Sequence, residues 1–167
     1  HAHLYSIDPI FTMEYITRAH GYLVYDTLFA QDENGRAQPQ MVQDWTVSED
    51  GLEWRFTLRQ GQTWHDGTQV TADDCVASLL RWGTRDASGW RLLSNIESIT
   101  PIDTDSFTIR LRSPHRGLID DLAKSTLNVP FMMPRRIAQT SPYVPISDAT
   151  GSGPYRFLPD MWLPGKM

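Results

Sequence analysis

The sequence predicts an α+β fold: an antiparallel β-sheet with flanking helices. Two segments of strict alternation and the arrival of strands as neighbouring pairs carry that prediction. In residues 52–59, Leu52, Trp54, Phe56 and Leu58 alternate with Glu53, Arg55, Thr57 and Arg59. In residues 106–112, Phe107, Ile109 and Leu111 alternate with Thr108, Arg110 and Arg112. A side-chain period of two sends the first set of each to a core face and the second to water. Strands that come in hairpins, with helices between the pairs, need no parallel crossover, so a doubly wound parallel sheet is not expected.

The elements follow in chain order. Met13, Ile16, Ala19, Leu23 and Leu28 keep helical spacing, which predicts a helix over residues 13–28 with one buried stripe. "DENGR" at 32–36 is a turn, its Asn-Gly pair tolerating positive φ. "PQMVQDW" at 39–45 is expected to form a short helix with Pro39 in its first position. "WTVS" at 45–48 turns through "EDG" into the 52–59 strand. "NIESITPID" at 95–103 is the partner of the 106–112 strand, joined by the turn at Asp103 to Asp105. Helices are predicted within "HRGLIDDLAKS" and "PRRIAQT". Pro142, Pro145, Gly151, Gly153 and Pro154 then mark loop, and "GPYRF" at 153–157 reads as a strand beginning.

With 167 residues, the chain is long enough for one domain with a real core and short for two. Its 40% hydrophobic and 21% charged content are ordinary for a globular protein. A formal net charge of −5 argues against nucleic acid as a partner, because phosphate binding needs an excess of Lys and Arg on one face. No apolar run approaches the roughly 20 residues of a membrane helix. The single cysteine, Cys75, cannot form an internal disulfide. The chain opens on His1 without an initiator Met or a signal segment, and stops soon after a strand begins, so it is expected to be a processed piece of a longer protein.

"TWHDGTQVTADDCVASLLRW" at 63–82 concentrates His65, Asp66, Asp73, Asp74 and Cys75. Those types suit a metal or catalytic site, but turn and cap chemistry explains them. Asp66-Gly67 is a tight-turn pair. Thr71 is placed as an N-cap with Asp73 and Asp74 in the first turn, where exposed amides and the helix dipole favour acids. Cys75 lies beside Val76, Leu79 and Leu80, as a small buried hydrophobe would.

The remaining chemistry is sparse. The histidines are scattered, and His1-x-His3 at a free terminus is poor support for a designed metal site. "GSGPY" at 151–155 resembles half a phosphate loop but precedes a strand instead of opening a helix, so the dinucleotide reading fails on context. No Gly-x-Ser-x-Gly elbow occurs. Neither a catalytic residue, a metal ligand nor a cofactor is implied.

Taken in order, "IDP" at 7–9, "YDTLF" at 25–29, "DWTVSEDGLEWRFTLRQGQTWHDGTQVTADD" at 44–74, "TDSFTIRL" at 104–111 and "GSGPYRF" at 151–157 resemble the extracellular solute-binding proteins of family 5, which serve peptide, dipeptide and nickel ABC importers. The resemblance spans nearly the whole chain, while family members are considerably longer. It implies part of a periplasmic binding protein type II-like lobe: a leading segment at 1–28, the small inserted domain at 29–148, and a return strand into the lobe at 149–167. It also implies a non-enzymatic monomer that hands its peptide or small-molecule solute to a cognate ABC permease in the inner membrane, from the periplasm or from a lipid anchor on the cell surface. A ligand-sensing or interaction module that reuses the lobe on a regulator is the alternative, and a hydrolase a distant third.

Four residues match ligand-facing positions of relatives. Met13 and Tyr15 follow Asp8-Pro9, where relatives touch ligand. Trp90 in "SGWRLLSN" matches a cleft tryptophan of the nickel-type branch. Asn128, in "NVPF", falls where that branch carries a ligand-binding arginine; Arg135 and Arg136 come several residues later, which argues against a nickel chelate. Each has a plainer reading. Met13 fits the buried helical stripe, Tyr15 a helix surface with its hydroxyl in water, and Trp90 a loop-like stretch after Ser88-Gly89.

Overall fold

The alternating segments pair as expected. The computed structural model describes residues 3–162, so His1 and the final residues of the 149–167 segment lie outside it. Its helices are α1 (Tyr15–Val24), α2 (Ala72–Arg85), α3 (Ala87–Asn95), α4 (Leu118–Leu122) and α5 (Arg135–Ala138). Its strands are β1 (Phe29–Gln31), β2 (Ala37–Pro39), β3 (Val42–Val47), β4 (Glu53–Leu58), β5 (Ile96–Pro101) and β6 (Ser106–Leu111). β1 and β2 form a small hairpin, and the other four form an antiparallel sheet in the order β3-β4-β6-β5. The fold is α+β, with helices against antiparallel sheets.

Cross-strand pairs hold the sheet's inner face. Phe56 lies opposite Phe107 and Trp54 opposite Ile109, with the two phenyl rings stacked 5.2 Å apart. Residues 54, 56, 58, 107, 109 and 111 are all buried, as their alternation requires. Gly51 adopts φ +71° in the turn between β3 and β4, a conformation that costs a side-chain-bearing residue more than glycine. Against this face lies α2, with Cys75, Val76, Leu79 and Trp82 buried, while Leu80 points outward.

The expected cap is present. Thr71 Oγ1 accepts from the Asp74 amide, and the Asp74 carboxylate accepts from the Thr71 amide at 2.9 Å. Asp74 Oδ1 also accepts the Arg135 amide, and Oδ2 accepts Trp64 Nε1, so the cap fastens α2 to α5 and to the preceding turn. The acids of the 63–82 stretch therefore close joints. Burial pushes the Cys75 thiol pKa far up, consistent with an inert core residue.

Several expectations are corrected. Residues 39–45 do not form a helix: Pro39 ends β2, and Val42 opens β3 opposite Leu58, so sheet pairing overrides the proline signal. The first helix is shorter than 13–28, and its buried face is Thr17, Gly21 and Val24. Thr17 Oγ1 donates to the Ser6 carbonyl, and Gly21 lies under the Phe131 ring, so a hydroxyl and a glycine hold positions that an apolar count misses. Leu23 is exposed, Met13 precedes the helix, and Leu28 is buried beyond it. Residues 87–95 are helical, so the loop reading of "SGWRLLSN" fails: Asp86 caps α3 through the Ser88 and Gly89 amides, both at 2.9 Å.

"GPYRF" is not a strand in the described residues. Gly153 and Tyr155 donate to the Val24 and Leu23 carbonyls at the end of α1, and Pro154 between them has no N–H to extend a ladder. A Cβ on Gly151 would sit 1.9 Å from the Val24 carbonyl oxygen. The glycines of this motif thus permit close backbone contact, and nothing in the arrangement opens a helix toward a phosphate.

Candidate functional site

Met13 and Tyr15 stand at the end of a tightly held turn. Asp8, fully buried, accepts the Ile10 and Phe11 amides on Oδ1 at 3.0 and 3.1 Å. From the other side, Asn128 Nδ2 donates to the carbonyls of Pro9, Ile10 and Thr12 at 3.1, 3.0 and 3.2 Å. Arg85 Nη2 donates to the Phe11 carbonyl, and its guanidinium lies over the Phe11 and Tyr143 rings at 5.7 and 5.4 Å. Every backbone group named here has a fixed partner, so the turn is rigid where it is buried.

The side chains beyond it face solvent. Met13 is 64% exposed and Tyr15 73% exposed. Their burial in a helical stripe is therefore excluded for Met13, and the surface reading of Tyr15 holds as geometry, with the Arg18 guanidinium over its ring at 5.5 Å. Trp90 is 65% exposed on α3, an unusual outlay of apolar area for a tryptophan. Asn128 is buried, and its amide nitrogen is spent on protein carbonyls, so it shapes the turn.

One polar chain connects these places. Asp86, the α3 cap, is ion-paired with Lys124. Lys124 Nζ and Trp82 Nε1 both reach the Asn128 carbonyl, at 3.4 and 2.8 Å. Asn128 in turn holds the 9–12 backbone. Leu127, just before it, has φ +54°, a left-handed conformation that costs a leucine and persists only where surroundings impose it. The helix carrying Trp90 and the turn carrying Met13 and Tyr15 are thus tied to the same 124–128 loop.

Sequence reasoning missed Asp8, Arg81, Asp86 and Lys124. The signals were small: an Asp followed at two and three residues by free amides, a charged residue inside the apolar run "SLLRW", and an Asp two residues before Ser-Gly. Among the described residues no group of three or more His, Cys, Asp or Glu is placed to hold a metal ion, and no helix is long and apolar enough to cross a membrane. Two open hollows of about 340 Å³, one along α2 and α5 and one beside residues 147–150, are lined by other residues than Met13, Tyr15 and Trp90. Met13, Tyr15 and Trp90 are each exposed on elements tied to the 124–128 loop.

Known proteins resemble the chain in sequence and fold. Residues 36–164 match the profile of the bacterial extracellular solute-binding proteins, family 5 middle region. A Sinorhizobium fredii protein described as "Probable peptide ABC transporter periplasmic-binding protein" is 40% identical over 158 residues, covering 95% of this chain and 29% of the relative. The structure of AgaA from Agrobacterium tumefaciens R10, in complex with agropinic acid, superposes with a TM-score of 0.78 at 28% identity, covering 96% of this chain and 32% of that one. NikZ of Campylobacter jejuni, in complex with Ni(L-His), gives a TM-score of 0.68 at 26% identity, covering 82% and 28%. The chain thus spans about a third of the length of the relatives it matches. By its profile, its identity to a transport protein and its fold, the chain belongs to the family 5 extracellular solute-binding proteins, a family of binding components and not of enzymes.

Proposed function

We propose that this chain supplies one side of the solute cleft in the substrate-binding component of an ABC importer, with peptides or related small solutes as ligands. The observation that carries the reading is the exposed trio of Met13, Tyr15 and Trp90 on backbone pinned from behind, by Asp8 and Asn128 before Met13 and by the Asp86 cap before Trp90. Exposed thioether and aromatic surface on a rigid support fits stacking and apolar contact with a solute, with polar recognition from main-chain groups and water. Asn128 serves the site from behind, by fixing the turn. The likeness to the Sinorhizobium fredii peptide-transporter protein supports peptides as the solute class.

The work done is capture by closure. A second lobe covers the open face when ligand bridges both, and the closed form is favoured by the contacts that exist only there. The proposed division keeps 1–28 and 149–167 in the lobe and 29–148 as its small inserted part. The protein acts as a monomer outside the cytoplasmic membrane, in the periplasm or on a lipid anchor, and delivers its solute to a cognate permease. Asn128 stands where an arginine would favour an anionic metal chelate, which sets a nickel complex behind a peptide here.

The test is to release and identify small molecules from the full-length protein purified from its own cells. A peptide or small solute near one equivalent is expected. Turnover of peptides or esters in place of retention would refute the reading.

A further inference from the structure

We infer that Asp8 and Arg81 are positioning residues for the solute-facing turn; the inference rests on the reading just given. Arg81 grips Asp8 with both prongs of its guanidinium, Nη1 to Oδ1 at 3.0 Å and Nη2 to Oδ2 at 2.7 Å. The side chains are 1% and 0% exposed. Both partners make further bonds. Arg81 also donates to the carbonyls of Thr140 and Val144, while Asp8 also accepts the amides of Ile10, Phe11 and Ile146.

A buried ion pair is weak as a stabilising device, because desolvation offsets most of its attraction and a well-packed apolar substitute often does as well. What the pair does supply is direction. A planar fork on a carboxylate fixes both groups in orientation. Here the fixed carboxylate sets the amides of residues 10 and 11, two and four residues from Met13 and Tyr15 respectively when counted from Phe11. Asn128 sets the carbonyls of the same turn. Amides are held on one side and carbonyls on the other, so the turn has one conformation before ligand arrives. Preorganisation of this kind removes an ordering cost from binding. The same pair also reaches residues 140–146, so the solute-facing turn and the segment leading to "GSGPY" share one anchor.

The test compares Arg81→Lys, which keeps the charge and loses the fork, with Ile109→Val in the sheet and Trp90→Ala on the face. Full-length protein is titrated by calorimetry with trialanine and glutathione, and amide hydrogen exchange is followed at Ile10 and Phe11. Arg81→Lys is expected to weaken the probe that wild type binds by about tenfold, the scale on which residues without ligand contact modulate binding, and to speed exchange at both amides; Ile109→Val should do neither. Wild-type affinity in Arg81→Lys, with weakened binding in Trp90→Ala, overturns the positioning role and leaves the site standing. Unchanged binding in both variants overturns the site reading and this inference with it. If Arg81→Lys does not fold, or neither probe binds, wild-type exchange decides. Protection at Ile10 and Phe11 comparable to the sheet core supports the lock, and exchange at the rate of an open loop overturns it.

Discussion

The four-stranded sheet and the 8–15 turn are both rigid, and they are rigid for different reasons. The sheet is held by backbone ladders, two of them hairpins and one joining β4 to β6, and by apolar side chains on one face, such as the Phe56–Phe107 stack. The turn is held by side chains that reach its backbone from far along the chain: Arg81 through Asp8, Asn128 from 116 to 119 residues away, and Arg85 on the Phe11 carbonyl. The sheet spends its order on burying surface. The turn uses its order to keep Met13 and Tyr15 out of the core. A binding face needs that second solution, because exposed apolar side chains contribute nothing to holding themselves in place.

Substitutions of similar cost should separate the two regions. Arg81→Met strands a buried carboxylate and is expected to lose about 3–5 kcal/mol. Phe107→Ala empties the sheet core for about the same 3–5 kcal/mol. Denaturant titration measures both, and the comparison sharpens if only Arg81→Met also frees the 10–11 amides to exchange. Asn128→Ala leaves three carbonyls without their donor and should cost about 1–3 kcal/mol, with faster exchange in the turn and unchanged exchange in β4 and β6. Thr71→Ala removes the α2 cap and should cost about 1 kcal/mol; an unmoved melting curve would show that the Asp74 side of the box suffices.

The smallest effect is a pH slope. Burial against the Phe157 ring holds the His20 pKa below its ordinary value of 6.5. The folded state prefers the neutral ring, so below that value the unfolded chain binds more protons and stability falls as pH drops through it. Replacing His20 with Gln should flatten stability between about pH 5 and 7 in melting experiments.

How much was legible follows the same division. Alternation in residues 52–59 and 106–112 reported the sheet, since a period of two has few other meanings, and Thr71 with Asp74 reported the start of α2. Local patterns failed where a distant partner decided the outcome. Pro39 looked like a helix start, yet pairing of Val42 with Leu58 made strand. Thr17 and Gly21 face the core because Ser6 and Phe131 meet them there. The α3 cap at Asp86 was readable in principle, but Ser-Gly beside it also spells loop. Of the face itself, Met13, Tyr15 and Trp90 came from resemblance, and the buried residues that support them carried no local signature.

Hydrogen exchange on the full-length protein, stripped of solute and then reloaded with the solute that co-purifies with it, tests the central claim most directly. The account predicts new protection on loading at residues 9–15 and 88–92, with no change on the outer face of the β3-β4-β6-β5 sheet. Protection in the hollow along α2 and α5 or on that outer face, with none at 9–15, would contradict it.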